Sequence, residues 1–358
     1  VKTFFTVFVF LCLITILPAA AQSTAVHDVT VLSEDATWSG SVLICGSVIV
    51  APHATLRIEP GTVVRFAANS GQQRSNLIVQ GRLHAAGTSK LPILLTADRS
   101  VQSQGSWDGI VFLATEKNNL LEECRIEYVE TGIDLRFSAV TLKSVSIVHA
   151  QTAMLAHDGI IQMTGGIVSD SGTGIEIYDS EFEGRDTTID SCQRGAVFNN
   201  SAVVLVSPKI MNNKQTGFET DECRIKVTGG EFSGNALGGS IKGGGGEIVM
   251  SSFLRNRQTA LHLIGSRIKI WRCRFTENLQ DALRVEDGRA LLTNNIFNSN
   301  GGFNLFNAGI DVVSARLNWW GGVEQFMIRQ KIHDAARDKN CGHVHISPWL
   351  SKKPPLMP

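Results

Sequence analysis

The sequence predicts an all-β fold: a single-stranded right-handed parallel β-helix, or solenoid, of coils about 21 residues long with capped ends. Three observations carry this. Apolar residues closing short strands recur at Ile126, Ile147, Ile167, Ile189, Ile210, Phe232, Phe253, Phe275, Phe297 and Leu317, 20 to 22 residues apart. Three residues after these anchors stands a polar column, Asn213, Asn235, Asn256, Asn278 and Asn300, with Asp170 and Cys192 in earlier coils. A turn signal follows in step: Asp158-Gly159, Asp179-Ser180, Asn200-Ser201, Gly243-Gly244, Gly265-Ser266 and Asp287-Gly288.

The elements between these columns complete the coil. After the polar column comes a small residue and then an apolar one, as in Gly132-Ile133, Ala153-Met154, Gly174-Ile175, Gly217-Phe218, Ala260-Leu261 and Ala282-Leu283. After the turn comes an alternating strand, such as Ile225-Lys226-Val227 or Ile268-Lys269-Ile270. Alternation of period two marks strands with one buried face, and no stretch within the repeat has a helical period. One coil cannot bury its apolar face alone, whereas stacked coils share a continuous core. The Asn column is expected to form an inward ladder, each amide bonding backbone and the next Asn. A leucine-rich repeat has a similar period, but its Asn follows an L-x-L strand; here Asn precedes the small-apolar pair.

Four segments follow. Residues 1–21 read as a signal peptide: Lys2, a short apolar run, Pro18 and Ala19-Ala20-Ala21, with cleavage expected after Ala21. Residues 22–115 read as an N-terminal cap with irregular coils, 116–321 as regular coils and 322–358 as a C-terminal cap. Caps are expected near residues 25–45 and 322–350, since open β-edges are aggregation templates. Residues 325–336 are the one segment expected to be helical. This layout predicts a secreted or periplasmic protein, soluble after cleavage. The formal net charge of zero argues against nucleic acid as a partner. Of the six cysteines after residue 21, no pair meets disulfide distance on the repeat, so most are expected to be free and buried.

The stretches 38–66, Gly105-Ser106-Trp107-Asp108-Gly109-Ile110 and Asn318-Trp319-Trp320-Gly321, the last followed by Ile332, Asp334 and residues 344–349, resemble the pectin-lyase-like right-handed β-helix repeat proteins exported by many bacteria. The resemblance implies the fold over nearly the whole chain after residue 21. That superfamily includes lyases, hydrolases, epimerases and adhesins, so fold alone does not give function.

The resemblance also points to the sheet after the small-apolar pair as the place for a cleft. Its outward residues are expected to be Asp134, Leu155, Glu176, Val197, Glu219, Ile241, His262, Arg284 and Asn304 in one column. The second column is expected to be Arg136, His157, Tyr178, Asn199, Asp221, Ile264, Glu286 and Phe306. Candidate ligand-binding residues are His157, Glu176, Tyr178, Glu219, His262, Arg284 and Glu286. The candidates for catalysis are Glu176, Glu219, Asp221 and Arg284. Glu219 and Asp221 share a strand, as a hydrolase pair could, yet the Asn-Thr-Asp and Asp-Asp signatures of the superfamily's hydrolases do not occur. His262, Arg284 and Glu286 would serve a lyase, and His157, Glu176 and Tyr178 an epimerase. No acidic cluster has the oxygen count a calcium ion needs. The repeated Asp158, Asp179, Asp221 and Asp287 are expected to be turn residues rather than metal ligands. Neither metal nor cofactor is therefore expected. The reading is a non-catalytic exported β-helix that binds polysaccharide or a cell-envelope partner through this sheet. The alternative is a polysaccharide-active enzyme: lyase, hydrolase or epimerase.

Overall fold

A computed structural model describes residues 23–26 (backbone only), 29–67, 74–98 and 102–355. The signal-peptide expectation for residues 1–21 lies outside the described residues. The chain winds through three parallel sheets of 13, 14 and 14 strands, and through most of the stack each strand pairs with the third before it and the third after it. We call them sheet A, with strands such as Lys209–Met211, sheet B, with Thr216–Asp221, and sheet C, with Arg224–Thr228. The chain visits them in the order A, B, C, and adjacent coils lie about 4.8 Å apart.

The alternation seen in the sequence becomes an in–out pattern. In Thr173–Tyr178 of sheet B, Ile175 and Ile177 are buried while Glu176 and Tyr178 are partly exposed. The interior is a set of vertical columns. Phe232, Phe253, Phe275, Phe297 and Trp320 stack with ring centroids 4.7, 4.9, 5.1 and 4.7 Å apart. The small-residue column reflects backbone approach between coils. A Cβ on Gly195 would lie 2.0 Å from the carbonyl oxygen of Gly217.

The corners of the regular coils follow one rule. A residue in the left-handed region turns the chain, and the next residue points inward. At the B-to-C corner the turning residues are Asp158, Asp179, Asn200, Glu222, Gly243, Gly265 and Asp287, with φ between 44° and 60°. Asp and Asn tolerate this conformation, which places Asp158, Asp179 and Asp287 in turns as expected. Asp221 departs from that expectation: it ends the strand, and Glu222 makes the turn.

The A-to-B corner holds the Asn ladder. Asn256 Oδ1 accepts hydrogen bonds from Asn235 N (3.1 Å) and Asn235 Nδ2 (3.3 Å), while Asn256 Nδ2 donates to Phe232 O (3.1 Å) and Asn278 Oδ1 (2.9 Å). The ladder runs from Asn213 to Asn300, and Cys192 donates its N–H to Asn213 Oδ1 at 3.0 Å. One coil earlier the inward residue is Ser171, whose Oγ accepts from Ala150 N, and not Asp170, which turns the chain at φ 51°.

Two anchors also move. Ile167 is 48% exposed, and its neighbour Val168 pairs with Ile147 and Ile189 in the core. Both are apolar, so the pleat rather than composition decides which points in. Leu317 is a turning residue at φ 57°, and Trp320 continues the aromatic column.

The ends differ from expectation as well. Strands Ser23–Val26, Thr30–Leu32 and Ala36–Trp38 each pair with the next coil, so they continue the stack within the stretch near residues 25–45. At the other end the helix spans only Gln325–Gln330 rather than 325–336. It stops because Ile332 and His333 pair as a strand with Leu305 and Phe306.

All six cysteines among the described residues are free. Cys124, Cys192, Cys223 and Cys273 are buried at inward corner positions. Burial pushes the thiols of Cys124 and Cys273 up to about 12 and that of Cys192 up to about 11.

Asn256→Ala removes both ends of a ladder rung and strands buried partners above and below. We expect a loss of about 3 kcal/mol. Urea denaturation followed by circular dichroism measures it, and a loss under 1 kcal/mol would mean the ladder contributes little.

Candidate functional site

Sheet B presents two outward columns whose order is fixed by strand register. The first reads Asp134, Leu155, Glu176, Val197, Glu219, Ser240, His262, Arg284 and Phe306. The second reads Arg136, His157, Tyr178, Asn199, Asp221, Lys242, Ile264 and Glu286.

Four positions differ from the sequence expectation. Ile241 points inward and is 1% exposed, and Ser240 takes its outward place. The cause is Gly239, which occupies the inward apolar position beneath the ring of Phe218; a Cβ there would lie 2.1 Å from that ring. Without an apolar residue at this step, the alternation reads one residue late. Asn304 is buried and accepts a hydrogen bond from the last ladder residue, Asn300, at 3.0 Å. Phe306 therefore stands in the first column rather than the second. Lys242, absent from the expected columns, fills the second beside Asp221.

The register gathers the candidates into two groups. The first surrounds an open depression of about 310 Å³ lined by Glu176, Tyr178, Arg194, Val197, Asn199, Glu219, Asp221, Ser240 and Lys242. Val197 forms an apolar floor between Glu176 and Glu219. Tyr178 Oη donates to Glu176 Oε1 at 2.5 Å, and its ring stacks on His157 at 4.7 Å between centroids. Arg194 Nη2 donates to Glu219 Oε2 at 3.1 Å, and Lys242 Nζ to Asp221 Oδ2 at 2.8 Å. The hydrogen bond to Glu176 holds the Tyr178 phenol up at about 12, with desolvation adding to it.

The second group lies further down the stack. Arg284 Nε donates to Glu286 Oε1 at 2.8 Å, and His262 Nε2 approaches the same oxygen at 3.2 Å. The Arg284 hydrogen bond is the main cause that lowers the Glu286 carboxyl below its usual range. The Arg284 guanidinium also sits 4.3 Å from the Phe306 ring, which stacks on His333 at 4.0 Å. The group is thus a carboxylate clamped by two cationic or ionisable neighbours, beside two stacked flat rings.

Sequence reasoning set apart three candidate groups, Glu219 with Asp221, His157 with Glu176 and Tyr178, and His262 with Arg284 and Glu286; the structure places the first two beside one depression and the third further down the stack. It missed Arg194, Lys242, Ser240 and His333. Arg194 opens its strand, where alternation from the inward Ala196 predicts an inward residue, so the pattern did not reveal it. Lys242 would have been found had Gly239 been read as inward. Among the described residues no group of three His, Cys, Asp or Glu side chains is placed to hold a metal ion.

Comparison with known proteins agrees with this architecture. A pectate-lyase like beta helix domain matches residues 26–137, and a right handed beta helix region matches residues 173–318. The chain is a pectin-lyase-like β-helix repeat protein. No curated protein sequence matches it. Solved structures similar to this β-helix protein include the periplasmic alginate epimerase AlgG, at 9% identity and a TM-score of 0.48, covering 79% of this chain and 77% of that one. The A-module of the Azotobacter vinelandii mannuronan C-5 epimerase AlgE4 is 12% identical with a TM-score of 0.43, covering 82% and 91%. Tailspike protein 3 of bacteriophage CBA120 is 9% identical with a TM-score of 0.32, covering 91% and 57%. These likenesses concern fold alone. No helix among the described residues is long and apolar enough to cross a membrane.

The β-helix protein has two tyrosines, Tyr128 and Tyr178. In a Tyr128→Phe chain, the remaining phenol is expected to titrate near about 12 by ultraviolet absorbance. Adding Glu176→Gln should lower that value toward about 10, the ordinary tyrosine range. An unchanged titration in the double variant would show that the Glu176 bond is not its cause.

Proposed function

We propose that this is an exported, non-catalytic β-helix protein that binds an extended polysaccharide of the cell envelope along sheet B. The observation that carries the reading is the pairing of the charges in an open groove. An acid catalyst in a glycosidase needs surroundings that keep its proton at working pH. Glu219 and Asp221 instead lie in open surface, 34% and 40% exposed, each with a cation at hydrogen-bond distance. Such groups are well placed to exchange a neighbour for a sugar hydroxyl. Between Glu176 and Lys242 the corners bordering the sheet are only a few residues long, so they raise no wall over this part of the face.

Stacked rings complete the argument. His157 with Tyr178, and Phe306 with His333, give two flat platforms against which the apolar face of a sugar ring can lie. They stand at different levels of one straight face. That arrangement suits a polymer running along the stack better than a compact ligand.

The second reading is a polysaccharide-active enzyme, and one observation favours it: His157, Glu176 and Tyr178 form a contiguous trio. A phenol at about 12 is, however, almost wholly protonated at neutral pH, which suits hydrogen-bond donation more than proton abstraction.

A panel of polysaccharides assayed for both retention and cleavage separates the two. Binding predicts retention of at least one glycan with no change in its length or saturation. Tyr178→Ala should weaken it about tenfold, equivalent to about 1.4 kcal/mol. Shortened, unsaturated or epimerised product that disappears in Glu219→Gln or Tyr178→Phe would replace binding with catalysis.

A further inference from the structure

Sheet C carries a second surface, independent of the sheet B groove. Its outward columns are set by register. Arg224, Gly245, Arg267 and Arg289 stand one above another, and beside them stand Lys226, Glu247, Lys269 and Leu291. The strip therefore holds five cations against one carboxylate, although the whole chain has a formal net charge of zero. Glu247 approaches Lys226 at 3.7 Å, and among the described residues Arg224, Arg267, Lys269 and Arg289 form no ion pair. The carboxylates at the neighbouring corner are held by backbone: Glu222 accepts from Gly244 N at 3.2 Å, and Asp287 from Ile310 N at 3.4 Å.

Arg267 and Arg289 are like charges on adjacent coils about 4.8 Å apart and repel one another, and nothing in the fold requires them. The inward residues of these strands hold the coil together, whereas the five cations all point to solvent. One aromatic belongs to the strip. Trp271 closes the Arg267–Trp271 strand, with Lys269 Nζ and Arg272 Cζ each 5.1 Å from its ring centroid. The strip ends beside an open depression of about 480 Å³ lined by Arg289, Leu291, Asp311, Val312 and Ser314.

We propose that sheet C between Arg224 and Arg289 is a binding strip for an acidic polysaccharide, one bearing carboxylate or sulfate groups. The four coils span about 14 Å, the scale of a short stretch of a linear polymer. The cations meet its charges, and Trp271 takes the apolar face of one sugar ring. Single-stranded nucleic acid sites use successive aromatic platforms, one per stacked base. This strip offers a single platform, which favours a glycan.

Affinity electrophoresis of the full chain through gels containing polygalacturonate, dextran sulfate or neutral dextran tests the assignment. The wild type should be retarded by both acidic polymers and not by dextran, and the retardation should fade as salt rises. The combined Arg267→Glu, Lys269→Glu and Arg289→Glu variant should lose at least tenfold in affinity, and Trp271→Ala a smaller part. Lys143→Glu, on the same sheet but several coils away, should behave as wild type. Circular dichroism confirms that each variant is folded. A folded triple variant that binds as wild type does, or a wild type that ignores both acidic polymers, overturns the proposal. So does single-stranded DNA that displaces polygalacturonate at equal charge concentration. None of these outcomes bears on the sheet B reading, whose test is retention lost in Tyr178→Ala.

Discussion

Backbone pairing between one coil and the next, in parallel and without slippage, governs everything else in this molecule. In the regular coils a residue meets its counterpart 21 or 22 positions later, as Ile189 meets Ile210 and Ile210 meets Phe232. A slip of one residue would turn a buried column out to water and an exposed one into the core. The corners prevent it. In the regular coils each has one left-handed residue followed by one that points in, and in many of them that inward residue bonds the coil beside it. Serine, cysteine and asparagine fill this role in different coils. The four buried cysteines are there for this reason.

Once the interior columns are fixed, the outward positions are free to carry chemistry, and they do so unevenly. Sheet B gathers carboxylates with their cations and flat rings into a groove. Sheet C segregates positive charge over four coils. The two surfaces share no side chain, yet both depend on the same vertical alignment. Val197 shows how close the two demands come, because it is an outward residue that has become the apolar floor between two glutamates.

Much of this was legible in the sequence because the period is nearly constant. The Asn ladder, the aromatic anchors from Phe232 to Phe297, and the turns at Asp158, Asp179 and Asp287 follow from spacing and residue type. Legibility failed where two neighbours were equally apolar, as at Ile167 and Val168, or where the core was filled from another coil, as at Gly239 beneath Phe218. It failed again near the C-terminal end, where Asn304 is drawn inward to finish the ladder and Phe306 shifts column. The outward columns of sheet B were legible from the period, but the partners Arg194 and Lys242 of Glu219 and Asp221 were not seen. An ion pair between coils joins residues more than 20 apart, and periodicity says which positions face outward without saying which side chains meet.

The Asn and aromatic ladders occupy the same coils, from Asn213 to Asn300 and from Phe232 to Trp320. The coils just before them have serine corners and aliphatic anchors, and earlier still the core rings form isolated pairs such as Phe66 on Trp107 rather than a continuous column. Cohesion is therefore graded along the axis. Under tension applied to its two ends, such a rod comes apart by peeling, turn by turn, from the amino-terminal side. The doubly laddered segment is left as a grip that holds last. A partner fixed to sheet C between Arg224 and Arg289 would be fastened to that grip, at the part of the rod slowest to yield.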